Sequence, residues 1–197
     1  MKVYQVAVGP MQNFSYIVED ESTHEAIIID PSWDLDKIIQ IVEEQNLNPK
    51  YLVNTHWHDD HTRGNEELAK ELSLKIVQHS ASDLKNDMTV SDGDSIKFGC
   101  SELVVYHTPG HSKDSICLVG DGKIFSGDTL FVGNCGRIDL PGGSSRELYH
   151  SLFDVISNLN DSLIMYPGHD YGSAPTSTIG NEKMTNTVMQ KISEEDF

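Results

Sequence analysis

Apolar residues first recur along this chain in short β-branched runs broken by turn residues. "KVYQVAV", "NFSYIVE" and "EAIIID" predict three successive strands near the N-terminus, joined by the turn-like "GPMQ" and "DESTH". The period then lengthens. "PSWDLDKIIQIVEEQNLNP" predicts a helix with Ile38, Ile41 and Val42 as its apolar stripe, ended by Asn46 to Pro49. "YLVNT", from Tyr51, is a buried-strand pattern, and "GNEELAKEL" a helix with Leu68 and Leu72 on one face. Further on come a strand at "KIVQH", a polar stretch, a hairpin from "DSIKFG" and "SELVVYHT", and strands at "SICLVG" and "KIFSG" about the tight turn "DGK". In "SSRELYHSLFDVISNL", Leu148, Leu152, Phe153 and Ile156 fall at helical spacing behind a serine cap. "SLIMYPG" predicts a last strand, and the tail from Gly180 a terminal helix. There is no repeat, low-complexity segment or linker. Strands gathered in each half with helices between them predict sheets packed together under outer helices, in a single domain over residues 1–197.

Composition narrows the function. A chain of 197 residues is long enough for a sizeable core. A net charge of −17 without a basic stripe argues against nucleic-acid partners and against anionic membrane surfaces. Solubility, a salty interior and cation-binding carboxylates all fit that acidity. No apolar run is long enough to cross a bilayer, and "MKVYQVAVGPMQ" lacks the apolar core and cleavage site of a signal peptide, so a cytoplasmic location is expected. Three cysteines without CxxC spacing (Cys100, Cys117 and Cys135) fit a reducing compartment; Cys100 and Cys117, in strand-like runs, are read as small core hydrophobes.

Candidate chemistry concentrates where strands end. "THWHDDHTRGN" crowds three histidines and two aspartates between His56 and His61, at a strand-to-helix junction of the kind that carries chemistry in α/β layers. His111 in "TPGHS", Asp128 in "FSGDT" and His169 in "YPGHD" each follow a β-type run and directly follow a glycine, which permits a sharp turn and close backbone approach. A lone PGH or GDT is a common accident; seven ligand-type residues in equivalent positions are specific. Imidazoles and carboxylates without cysteine suit a catalytic divalent transition metal. Residues two apart on an extended strand point the same way, so His56 and His58 can grip one ion with His111. Asp60 and His61, beyond the turn, can face a second ion with His169, leaving Asp128 to bridge. A water between two such ions has its pKa drawn towards about 7, giving a metal-bridging hydroxide. His24, His79, His107 and His150 lack the glycine-flanked context and are assigned to surface or core.

The order HxHxDH, lone His, Asp, His resembles the metallo-β-lactamase superfamily, from the Asp30 turn to His169. The resemblance implies an α+β fold, a four-layer αββα sandwich with two metals along one edge. It implies the same ligands: His56, His58 and His111; Asp60, His61 and His169; and Asp128 between them. It also implies that Asp30 in "IIIDPS" orients the metal loop. "GDTLFVGNCGRIDLPGG", "PGHDYG" and "TSTIGNEKMTN" resemble the branch containing glyoxalase II (hydroxyacylglutathione hydrolase) and the persulfide dioxygenases. Glyoxalase II enzymes add a C-terminal helical domain, whereas this chain ends about one helix after His169, so the short form lacking that domain is expected. Arg137 matches the family's thiol-carrier-binding basic residue; Asp139 stands where its tyrosine would be.

The implied activity is hydrolysis of S-(2-hydroxyacyl)glutathione-type thioesters, with zinc ahead of iron or manganese and Asp60 and Asp128 as catalytic carboxylates. A mononuclear-iron persulfide dioxygenase is the alternative, and a lactonase or β-lactamase-type hydrolase the third. The expected partner is a small-molecule thioester or thiol-derived substrate. Self-association is common in the family, but no interface is legible here.

Overall fold

The computed structural model of the chain describes residues 1–190, 193–195 and 197. The first half forms a six-stranded mixed sheet in chain order: β1 (Lys2–Val8), β2 (Asn13–Glu19), β3 (Glu25–Ile29), β4 (Asn48–Val53), β5 (Lys75–His79) and β6 (Met88–Val90). The first three strands pair antiparallel and β3 to β6 pair parallel. The second half forms another six-stranded sheet from β7 (Ser95–Phe98), β8 (Ser101–His107), β9 (Ile116–Gly120), β10 (Lys123–Gly127), β11 (Ile164–Pro167) and β12 (Ser177–Thr178), in the order β12-β11-β10-β9-β8-β7. Helices α1 (Leu35–Glu44), α2 (Asp59–Thr62) and α3 (Asn65–Glu71) belong to the first half, α4 (Ser145–His150) and α5 (Ile179–Thr185) to the second.

Alternation along the strands decides the layering, because successive side chains face opposite sides of a sheet. Ile27 and Ile29 of β3 join Val53, Leu103, Val105, Leu118 and Phe125 in a core between the sheets. Ala26 and Ile28 face the other way, onto Ile38 and Val42 of α1 and Leu68 of α3. On the far side, Cys117, Ile124 and Met165 face outwards onto Leu148, Leu152, Ile156 and Ile179. Three apolar clusters thus separate four layers, the αββα sandwich expected from the sequence.

Several details differ from the sequence reading. β4 starts at Asn48 rather than Tyr51, and Pro49 is accommodated where the β3–β4 register shifts between Ala26 and Ile27. Short α2, β6 and β12 carry too little periodicity to be read. The helix through Leu148, Leu152 and Ile156 is not regular. Residues four apart run ahead of a 3.6-residue turn by about 40° per step, and the chain absorbs this with a wide π-type turn at Ser151–Val155 followed by a 3₁₀ turn at Ile156–Asn158. All three side chains thereby stay fully buried. Cys117 is a core residue as expected, but Cys100 is exposed: with Gly99 it forms the two-residue hairpin turn between β7 and β8. The terminal helix is shorter than expected, closing at Asn186, whose buried side chain donates to the carbonyls of Phe131 and Asn134. The expected continuation at 191, 192 and 196 lies outside the described residues. No described helix is long and apolar enough to cross a membrane.

The sheets meet at one edge through backbone hydrogen bonds, Phe14 N to Gly168 O (2.9 Å) and Ile116 N to Thr55 O (2.8 Å). The C-terminal ends of β4, β8, β10 and β11 open onto that edge.

Candidate metal centre

All seven sequence-predicted donors converge there. His56 and His58 follow β4, His61 lies on α2, and His111, Asp128 and His169 stand on the loops after β8, β10 and β11. The donor atoms of His56, His58 and His111 lie within 4.8 Å of one another, as do those of Asp60, His61 and His169. Asp128 reaches both groups: its carboxylate is 3.5 Å from His111 Nε2, 3.4 Å from His61 Nε2 and 3.3 Å from His169 Nε2. The glycines before the donors do the work expected of them. Gly127 sits at φ +49°, turning β10 sharply into Asp128, and any side chain on Gly168 would meet Asp128 Oδ1 at 2.3 Å.

Hydrogen bonds fix which nitrogen each imidazole turns inward. Carbonyls only accept, so His111 Nδ1 donates to Arg137 O (2.7 Å) and His169 Nδ1 to Met11 O (2.9 Å), leaving both Nε2 atoms facing the centre. His61 Nδ1 is held by Asp30 Oδ2 at 3.0 Å. Thr55 Oγ1 gives its proton to Asp30 Oδ2 (2.6 Å), so it accepts from His56 Nδ1 at 3.1 Å. His56 Nε2 is then a bare acceptor, buried and without a partner. His58 presents Nδ1 to His111 Nε2 at 2.9 Å. Six buried side-chain polar atoms lack a partner among the described residues, and three of them (His56 Nε2, His58 Nε2 and Asp128 Oδ1) belong to this cluster. Buried orphans are costly and uncommon, so their concentration here fits a site shaped for cations. Imidazoles whose second nitrogen is held by carbonyl, hydroxyl or carboxylate are the usual setting of metal-binding histidines.

Asp30 also lies near His56 and His61 as a third donor group. Its oxygens are already taken by Thr55 N (2.7 Å), Thr55 Oγ1 and His61, which ties the end of β3 to the stretch that carries His56 and His61. Asn13 was not foreseen. Opening a fully buried β2, it donates to the carbonyl (3.1 Å) and carboxylate (3.0 Å) of Asp60. Nor was the buried amide network, in which Asn54, linked to Asn65 and Gln78, donates to the His61 carbonyl. An Asn ahead of an HxHxDH cluster, in an otherwise apolar strand, is the one signal that pointed there.

Electrostatics divide the two groups. Burial, reinforced by neighbouring histidines, keeps His56 and His58 below the ordinary imidazole range. Burial acts the same way on His169, but Asp128 and Asp60 outweigh it and push it up to about 9. His61 is raised likewise against burial, by Asp128, Asp30 and Asp60. Against the upward pull of their own burial, the Asp60 and Asp128 carboxyls are held well below the usual range by these histidines. The carboxylates therefore favour protons on the His61 and His169 pair, and a metal has to displace them. Since His169 is protonated below about pH 9, metal affinity at the Asp60 group should weaken as pH falls from 9 to 6, by up to about tenfold per unit for each proton released. Competitive metal titration across that range checks this; a pH-independent affinity would count against the assignment.

The centre opens into a cavity of about 580 Å³ walled by Trp57, Phe131, Leu140, Pro141 and Tyr171, whose ring stacks on His169 at 4.5 Å. Cys135 also lines it, its thiol pushed up to about 11 by burial and so protonated at neutral pH. Arg137 lines the rim, its guanidinium held bidentately by Asp139 at 2.6 and 2.6 Å. The pair is exposed, not a buried strut. The other histidines stay outside: His79 and His107 stack on each other at 4.0 Å, His24 pairs with Glu19, and His150 with Asp154.

Comparison with known proteins agrees with this geometry. The Metallo-beta-lactamase superfamily profile matches residues 8–169. The chain is 34% identical to the human mitochondrial persulfide dioxygenase ETHE1 over 92% of its own length and 73% of that protein. It is 36% identical to the hydroxyacylglutathione hydrolase of Tolumonas auensis over 85% of its length and 66% of that protein. The crystal structure of ETHE1 from Myxococcus xanthus superposes with a TM-score of 0.95 at 33% identity, covering all of this chain and 88% of that one.

Proposed function

The chain belongs to the metallo-beta-lactamase superfamily, and from that premise we propose that it is a binuclear metal-dependent hydrolase cleaving S-(2-hydroxyacyl) thioesters. The observation that carries this reading is the pair of complete three-donor groups with Asp128 reaching both. His56, His58 and His111 would hold one divalent cation, Asp60, His61 and His169 the other, with zinc ahead of iron or manganese. When bound, the cations supply Lewis-acid polarisation of the thioester carbonyl and a water acidic enough to attack at neutral pH. The protein's own groups do the rest. Asp60, clamped by Asn13, keeps a carboxylate edge turned into the cavity to orient a water. Asp128 holds charge between the two groups, and the aromatic walls align the acyl chain and exclude bulk water. A thiolate leaves without a proton donor, so Cys135, kept protonated, needs no part in the reaction.

A second reading, a persulfide dioxygenase with one ferrous ion on two histidines and a carboxylate, is favoured by the likeness to the two ETHE1 proteins. Anaerobically purified chain, loaded separately with zinc and with ferrous iron, separates them. Each form is offered S-lactoylglutathione and glutathione persulfide while thiol release and oxygen consumption are followed together. Metal-dependent thiol release without oxygen uptake is expected. Oxygen uptake confined to the iron form with persulfide would replace the hydrolase reading by the dioxygenase.

A further inference from the structure

Two cations border the space a substrate's carrier would fill. Arg137 lines the metal cavity, and Lys113 lines an adjoining cavity of about 480 Å³ that shares Trp57 and Pro141 with it. Each is already paired with an aspartate: Arg137 with Asp139, both nitrogen–oxygen distances being 2.6 Å, and Lys113 with Asp83 at 2.5 Å. Among the described lining residues no other lysine or arginine faces this space. Apart from the histidine–aspartate cluster, the metal cavity's wall is largely apolar or aromatic, with Trp57, Phe131, Leu140, Pro141 and Tyr171, and its polar groups other than Arg137, namely Asp59, Asn134 and Cys135, carry no positive charge. Around it lies a chain of net charge −17.

We infer that the cavity selects thiol carriers presenting no carboxylate to its rim, such as neutral amide-linked thiols, and that Asp139, by occupying Arg137, sets this selection. The inference rests on the proposed reading only in taking the substrate to be carried on a thiol. A glutathione derivative brings two carboxylates and one ammonium. Its carboxylates would have to share Arg137 with Asp139, or Lys113 with Asp83, each cation being already largely neutralised, and would approach against the field of the whole chain. A neutral amide chain meets neither obstacle and gains from the aromatic wall. The Arg137–Asp139 pair is exposed on both sides, so its bidentate geometry sets the competition at up to about fivefold in affinity. The long-range field adds a further penalty that salt screens.

The test uses the metal-loaded full chain and reads binding as well as turnover. Calorimetry compares S-hexylglutathione with S-hexyl-N-acetylcysteamine, thioethers that neither hydrolysis nor oxygenation consumes, at about 20 mM and about 200 mM salt. In parallel, KM is measured for the S-lactoyl thioesters of the two carriers. S-hexylglutathione should bind more tightly at the higher salt while the neutral ligand does not change. Asp139→Asn should shift the ratio of the two dissociation constants, and of the two KM values, three- to fivefold towards glutathione. Tighter glutathione binding at low salt would overturn the inference. So would a loss of S-hexylglutathione affinity in Arg137→Gln, because it would show that Arg137 already grips a carboxylate. If neither thioester is cleaved but the binding pattern holds, the hydrolase reading fails and the carrier inference stands.

Discussion

Asp128→Ala is expected to abolish turnover, by on the order of 10³-fold or more, the scale of loss when one preorganised polar group is removed from a reacting centre. The same change should strip metal from both groups. Asp128 alone approaches His111 on one side and His61 and His169 on the other, so its loss removes the negative charge shared by five imidazoles. It also frees the space that Gly168 leaves for it. Asp128→Asn keeps the volume but offers one acceptor oxygen and no charge, and should retain metal at reduced occupancy with little activity. Metal content per chain, measured beside kcat/KM and a circular dichroism spectrum, separates loss of the centre from loss of the fold. A folded, active Asp128→Ala protein with full metal content would sink the bridging assignment.

Asp30→Asn should have the next largest effect, although Asp30 lies behind the donors. Its buried carboxylate accepts from Thr55 N, Thr55 Oγ1 and His61 Nδ1. An amide in its place turns an NH₂ group towards at least one of those donors. Losing charge-assisted hydrogen bonds at a buried site should cost about 3 kcal/mol of stability. Freed from Asp30, the His61 ring can rotate, which should lower metal affinity by about 10- to 100-fold. Thermal melting without metal and competitive metal titration measure the two effects separately. A variant that melts earlier yet binds metal as the parent does would leave Asp30 a purely structural residue.

The residues that converge on the candidate centre could be read from the sequence because each obeys a local rule. His111, Asp128 and His169 follow glycines at strand ends, and the structure shows the reason at Gly127, whose left-handed φ swings Asp128 into the centre. HxHxDH likewise needs no tertiary information to be recognised. Asn13 could not be read this way. Its role depends on β2 lying beside the His169 loop, where Asn13 and His169 form an isolated bridge, and an asparagine opening a strand looks like an ordinary turn residue. Thr55 adjoins the cluster in sequence, but its place between Asp30 and His56 is a matter of three-dimensional contact. β6 and β12, three and two residues long, exist because neighbouring strands offer them hydrogen bonds, not because their sequences repeat. Cys100 was misread since its neighbours are strand-like, while Gly99 beside it marks the hairpin turn. The αββα layering was legible because each strand's alternation records which of its faces meets a helix and which meets the other sheet.

The loop between β10 and α4 supplies Phe131, Asn134, Cys135, Arg137, Leu140 and Pro141 to the cavity wall. It touches the donor set through the Arg137 carbonyl that holds His111, through the Phe131 ring set edge-on to His169 at 5.6 Å, and at Gly136, where a Cβ would meet His111 Nδ1 at 2.8 Å. Any residue at position 137 carries a carbonyl, so that side chain, like those of Leu140 and Pro141, is free to diverge while the imidazole stays anchored, whereas Phe131 and Gly136 are tied to the donors. Reactivity and preference are thus inherited on separate stretches of chain: descendants of this sequence could acquire new substrates by editing one loop, with the seven donors and their supports carried forward unchanged.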